Sequence, residues 1–234
     1  MHLFCIPYAG GNAWSYRALE RSLSPGIKLE GLELPGRGRR GLEPLCASLE
    51  DLADDVFRQI VARAVTGRYA LYGHSMGALL AYLAAQRIRA AGLARPEALF
   101  LSGSSAPAAR QVRQRHLLPP AEFKTMLRDL GGCPPQVLDD AELLDFFEPI
   151  LRADFKAVET WRRNDQAPLD IPFVVMSGKD DDSDAGDAGG WASETTADCR
   201  LMEFSGDHFF LLQHWDEIGA TIQRQLIGAT PAWT

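Results

Sequence analysis

Four short runs in this chain, residues 3–6, 69–72, 98–101 and 173–176, are apolar throughout, with no polar residue alternating inside them. A strand with one face in water alternates; a strand covered on both faces does not, so these runs predict a parallel sheet sandwiched between helices. Weaker strands are expected at residues 28–34, just before Pro35, and at 201–204. Helical spacing fills the gaps. Ser48 and Asp51 form a capping box ahead of Leu49, Leu52, Ala53, Val56, Phe57, Ile60 and Ala64. A second helix is predicted over residues 76–91, stopping before Gly92, and a last one sets Leu211, Trp215, Ile218, Ile222 and Leu226 on one face. Strand and helix alternate, which predicts an α/β fold with a mostly parallel central sheet and helices on both faces.

Residues from about 106 to 168 break the alternation. Apolar spacing there predicts three short helices, around residues 123–130, 143–147 and 150–161, with no strand between them. An insertion at the carboxyl ends of the strands lies over the usual ligand crevice of an open α/β sheet, which makes it a candidate lid. The alternative is a helical subdomain that packs without gating. With 234 residues, 1–234 is expected to form one domain and to act as a monomer.

A net charge of −7 argues against a duplex nucleic-acid binder, which needs clustered Lys and Arg to neutralise phosphates. No run approaches the ~18 apolar residues of a membrane span, and the start lacks a secretory pattern, so the protein is read as cytoplasmic with no membrane partner. Cys5, Cys46, Cys133 and Cys199 are far apart and show no zinc-ligand spacing, so they read as reduced structural thiols and no metal site is expected. The acidic run at 180–187 fails as a calcium loop, because glycine falls one place late and Trp191 stands where the glutamate belongs.

The chemistry is carried by Gly73-His74-Ser75-Met76-Gly77, a Gly-x-Ser-x-Gly pattern between a predicted strand and a predicted helix. Chance yields ~0.1 such matches in a chain of this composition, so the flanking elements matter more than the pattern itself. They are the right ones: a serine at a sharp strand-to-helix corner is an exposed nucleophile. Its alternative is a turn serine capping the helix. A serine hydroxyl needs a histidine to take its proton and a carboxylate to orient that histidine. In this type of fold the order is serine, acid, histidine, which leaves His208 and His214. His208 follows the predicted strand and the turn Ser205-Gly206-Asp207, whereas His214 is expected inside the final helix. The acid is expected after the strand ending at Met176, from Asp180, Asp181, Asp182, Asp184 or Asp187; Gly178-Lys179-Asp180-Asp181 puts Asp181 in the Gly-x-x-Asp register, with Asp180 next. Oxyanion donors are expected from the Met76 amide and from the loop Pro7-Tyr8-Ala9-Gly10-Gly11, with the Ala9 amide ahead of Tyr8. That loop lacks the lysine of a P-loop.

Taken together, Pro7-Tyr8-Ala9-Gly10-Gly11, Leu34-Pro35-Gly36-Arg37-Gly38, the serine motif, Pro149-Ile150-Leu151-Arg152-Ala153-Asp154-Phe155 and Gly206-Asp207-His208-Phe209-Phe210 resemble, in order, the type II thioesterases that accompany non-ribosomal peptide and polyketide synthases. Relatives of that family usually carry a further segment before the first strand. The resemblance implies an α/β-hydrolase fold, hydrolysis of unwanted acyl groups from the phosphopantetheine arm of carrier domains, a Ser75–His208–Asp181 triad, and an insertion serving as lid. It implies no cofactor beyond the phosphopantetheine that the substrate carries. Apolar residues of the insertion, among them Phe123, Met126, Phe146 and Phe147, are then expected to hold the acyl chain, and Arg110, Arg113 and Arg115 to meet an acidic carrier domain. Two other readings use the same residues: release of a finished product or of medium-chain acyl groups, and a hydrolase-fold binding module without turnover.

Overall fold

The computed structural model describes residues 1–63, 67–109, 113–182 and 185–228. Its strands are β1 (His2–Ile6), β2 (Lys28–Gly31), β3 (Tyr69–His74), β4 (Leu99–Ser102), β5 (Phe173–Gly178) and β6 (Cys199–Phe204). All pair in parallel, in the order β2-β1-β3-β4-β5-β6. The four apolar runs become the four central strands, and β3 and β5 are buried along their whole length. Successive residues serve opposite faces, as the pleat requires. Tyr69 and Leu71 enter one core and Ala70 and Tyr72 the other.

The helices are α1 (Arg17–Glu20), α2 (Leu49–Ala62), α3 (Met76–Ala90), α4 (Pro120–Leu130), α5 (Pro135–Asp139), α6 (Ala141–Thr160) and α7 (Trp215–Ile227). Leu52, Val56 and Ile60 of α2, with Leu79, Leu80 and Leu83 of α3, cover the first face. Leu19 of α1 and Ile218 and Ile222 of α7 cover the second. Ser48 caps α2 as expected, its side chain accepting from the Asp51 amide at 3.3 Å. Among the described residues no helix is long and apolar enough to cross a membrane.

The structure departs from the sequence reading at β2, at the start of α7 and in the insertion. Strand β2 stops at Gly31 instead of residue 34, because the chain at Ala13 crosses there: a Cβ on Gly31 would stand 2.0 Å from the Ala13 carbonyl oxygen. Helix α7 begins at Trp215, and Leu211 sits in a preceding 3-10 turn, Phe210–Leu212. His214 therefore lies before the helix, where its ring bonds Glu217 at 2.9 Å and the Ser205 carbonyl at 2.9 Å. In the insertion, the helices expected at 143–147 and 150–161 merge into a single one, α6, which runs through Pro149 and ends at Thr160. Proline removes one backbone bond, but Leu144, Phe147, Leu151 and Phe155 continue one stripe across it into a separate small core with Phe123, Leu127 and Leu138. Tertiary burial outweighs the local breaker.

Candidate active site

Ser75 stands between the end of β3 and the start of α3 with φ 54° and ψ −118°, the one non-glycine residue of positive φ among those described. Such a conformation costs of order 1–3 kcal/mol and persists only where its surroundings enforce it. Here they do. The Ser75 amide donates to the Ser102 carbonyl at 2.7 Å. A Cβ on Gly73 would lie 2.0 Å from the Gly77 carbonyl oxygen, and one on Gly77 2.2 Å from that of Ile6. The two glycines of the motif thus exist to let three backbone segments meet. The Ser75 side chain makes no capping bond to α3, which removes the helix-cap reading and leaves the hydroxyl on the wall of a cavity.

His208 and Asp181 reach that place from neighbouring loops. Their backbones are laced together: the Lys179 amide donates to the Phe204 carbonyl at 2.9 Å, and the Asp180 amide to the Gly206 carbonyl at 3.0 Å. This lacing sends the Asp181 carboxylate inward, to 2.8 Å from His208 Nδ1, with neither side chain more than 5% exposed. Asp180 points to solvent. A carboxylate on Nδ1 leaves Nε2 as the base nitrogen, and His208 lines the cavity with Ser75. The geometry therefore brings Asp181, and not Asp180, against His208. Asp184 lies outside the described residues.

Beneath the pair lies His74, fully buried, its ring centroid 4.9 Å from that of His208 and its Nδ1 3.0 Å from Ser102 Oγ. Burial, and then the neighbouring His208, push its pKa well below the ordinary histidine value. A neutral floor follows beneath the His208–Asp181 pair.

The cavity of about 290 Å³ is walled by Ser75, Met76 and His208 on the sheet side, by residues 8–12 of the loop after β1, and by Leu127, Leu130, Val137, Phe147, Leu151 and Phe155 of the insertion. The Met76 amide opens α3, where no intrahelical acceptor exists for it, and Ala9 faces the same space. A second, more open cavity of about 660 Å³, the outer cavity, shares Arg115, Leu130 and His208 with the first and is lined further by Arg113, Leu118, Met126 and acid-loop residues.

The insertion residues expected to touch an acyl chain divide. Phe147 lines the inner cavity and Met126 the outer one. Phe146 is 67% exposed, packed edge-on to Phe147. Phe123 faces neither cavity; it is buried in the insertion's own core under the Arg152 guanidinium, 4.2 Å from the ring. Arg110 lies outside the described residues. Arg115 is no free rim charge, since its Nε donates to the buried Glu159 carboxylate at 2.8 Å. The described residues of the outer cavity set Glu122, Asp129, Asp180, Asp182 and Asp207 against Arg113 and Arg115. Among the described residues, the surroundings of Arg113 and Arg115 are therefore largely acidic.

Phe209, which the sequence marks only as part of the segment Gly206 to Phe210, also packs at the site. Its ring lies 5.1–5.2 Å from those of His208, His74 and Tyr8. Gly132, between α4 and α5, sits on it at φ +76°, and a Cβ there would fall 2.2–2.4 Å from the Phe209 ring. The Gly132→Ala variant is expected to lose about 2 kcal/mol, from the left-handed backbone and the forced shift of that ring together. In a chain of this size that is a fall of about 4–8 °C in Tm. Thermal unfolding of Gly132→Ala with and without Phe209→Leu checks the contact: relief in the double variant is expected, and equal losses would place the strain elsewhere.

The thioesterase domain family model matches residues 1–226. Thioesterase PikA5 of Streptomyces venezuelae is 33% identical over 228 residues, covering 97% of this chain and 81% of that protein. RedJ, a thioesterase from the prodiginine biosynthetic pathway of Streptomyces coelicolor, superimposes at a TM-score of 0.91 with 35% identity, over 97% of this chain and 90% of its own. The type II thioesterase BorB from the borrelidin biosynthetic cluster does so at 0.88 with 36% identity, over 96% and 92%. A match that runs from the first strand into the last helix leaves none of the described strands outside it: this chain belongs to the thioesterase domain family.

Proposed function

We propose that this thioesterase removes acyl and aminoacyl groups from the phosphopantetheine arm of carrier domains in non-ribosomal peptide or polyketide assembly lines. Ser75 Oγ attacks the thioester carbonyl while His208 Nε2 takes its proton; Asp181 holds the imidazole and stabilises the resulting charge. The Met76 and Ala9 amides receive the oxyanion. Collapse expels the pantetheine thiol, protonated by His208, and leaves an acyl-Ser75 ester. Water, activated by the same histidine, then releases the free acid. The residues 106–168 serve as lid over this step. No cofactor enters, because the substrate brings its own pantetheine.

The volume of the inner cavity is the observation that favours editing over product release. At about 290 Å³ it lies at the low end of small-ligand sites, which run to ~1,000 Å³, and its insertion wall is apolar. A short acyl group fits the inner cavity; a longer chain has to extend into the outer cavity of about 660 Å³ that also meets His208. Intact mass spectrometry of carrier domains loaded with acetyl, hexanoyl, aminoacyl and full-length chains, with and without enzyme, tests it. Short chains are expected to be cleared at least tenfold faster than the full-length product. Faster release of the latter would make the protein a product-releasing enzyme.

A further inference from the structure

Three segments that mark the sequence but lie outside the triad, residues 7–11, 34–38 and 149–155, converge on one buried ion pair. Arg37, 4% exposed, places Nη1 2.5 Å from Oδ2 and Nη2 2.7 Å from Oδ1 of Asp154, which is wholly buried. Asp154 Oδ2 also accepts the Gly10 amide at 2.8 Å, and Arg37 Nη1 reaches the Gly11 carbonyl at 3.5 Å. The pair therefore grips the loop after β1 by an N–H and a C=O on adjacent residues. That loop is a tight turn, closed by the Gly11 amide on the Tyr8 carbonyl at 2.8 Å with Gly10 at φ +75°. In a trans peptide the N–H points opposite to its own C=O. With the Tyr8 carbonyl turned inward, the Ala9 N–H is left on the outer side of the turn. Leu151 of α6 packs so closely that a Cβ on Gly10 would lie 2.5 Å from its Cδ2.

An ion pair in such a place is not explained by stability, since a well-packed apolar pair of similar volume is commonly as stable or more so. What it does supply is a fixed direction for the amides of one turn. We propose that Asp154, held by Arg37, is a positioning residue that aims the Ala9 amide at the developing oxyanion. The inference rests on the reading of Ala9 as an oxyanion donor. It makes α6 part of the catalytic frame as well as part of the cover.

The test compares wild type with Asp154→Asn and with the paired replacement Arg37→Met/Asp154→Leu, which leaves no orphan charge. Each is assayed on a small acyl-N-acetylcysteamine thioester. Each is also titrated with an acyl trifluoromethyl ketone, which forms a tetrahedral adduct on Ser75, and with the matching thioether, which does not. Loss of an oxyanion donor costs about 10²–10³ in kcat; misaiming one is expected to cost about 10- to 100-fold in kcat with KM unchanged. Inhibition by the ketone should weaken by a similar factor and binding of the thioether should not. Equal weakening of both ligands, no change in either, or failure of both variants to fold would make the pair a structural element and overturn the proposal. If wild type itself binds the ketone no tighter than the thioether, the fault lies with the oxyanion reading instead.

Discussion

Replacing Ser75 by alanine is expected to lower kcat by about 10⁶, the loss found when a serine hydrolase is stripped of its nucleophile, while the protein remains folded. The hydroxyl makes no capping bond to α3, so its removal leaves the elbow's backbone contacts intact. The turn is held by the Ser75 amide on the Ser102 carbonyl and by the close passage of Gly73 and Gly77, none of which uses the side chain. Glycine at the same position separates chemistry from architecture. At φ 54° it adopts without strain what serine adopts at a cost, so Ser75→Gly should be equally inactive and melt higher than Ser75→Ala. Steady-state hydrolysis with thermal unfolding of both variants reads this directly. Retention of a tenth of wild-type activity in Ser75→Ala would end the serine mechanism.

The second large effect is expected at Asp181. Asparagine there is nearly isosteric, but it can offer His208 Nδ1 an amide hydrogen and so permits the wrong tautomer; the comparable change in a well-studied triad costs about 10⁴ in kcat. Asp180→Asn, one residue away, should change kcat little. Its carboxylate is in solvent, and its contribution to the site is the backbone bond to Gly206, which the substitution spares. The neighbouring positions are their own control, since both changes remove one negative charge from the same loop. A larger loss at Asp180 would transfer the role of acid to it.

The parts of this protein legible in its sequence are those set by short-range rules. The central strands are buried on both faces, so their apolar runs needed no partner to be recognised, and the glycines around Ser75 stand in a short local pattern. Gly77 is recognised by its motif, although its close contact is with the distant Ile6 carbonyl and only that of Gly73 lies within the turn. Legibility fails where the deciding contact is distant and no motif marks it. Arg115 reads as a rim charge until Glu159, 44 residues away, is seen to hold it. Phe123 and Phe147 have the same helical signature, yet one fills the insertion's core and the other lines the cavity. Pro149 argues for a break that the apolar stripe of α6 overrides. Helix α5 buries only Leu138 and so offers no periodicity to find. The bond from Asp154 to Gly10 spans 144 residues; both ends stood in marked segments, but nothing in either names the other.

Between β4 and β5, which are hydrogen-bonded neighbours, the chain leaves the sheet at residue 103 and returns at 172. Lengthening a closed loop twofold costs only about 0.6 kcal/mol in closure entropy, so the sheet imposes little on what that excursion contains. Exchange of this segment between homologous enzymes is thus expected to change the acyl range, with Ser75, His208 and Asp181 left where they are. Two boundary conditions travel with the graft. The donor segment must bring a carboxylate to the place of Asp154, facing Arg37 and the Gly10 amide of the recipient, and a residue as small as Gly132 against Phe209. Chimeras that meet both should refold with altered chain-length preference; those that miss the carboxylate should bind acyl groups and turn them over slowly.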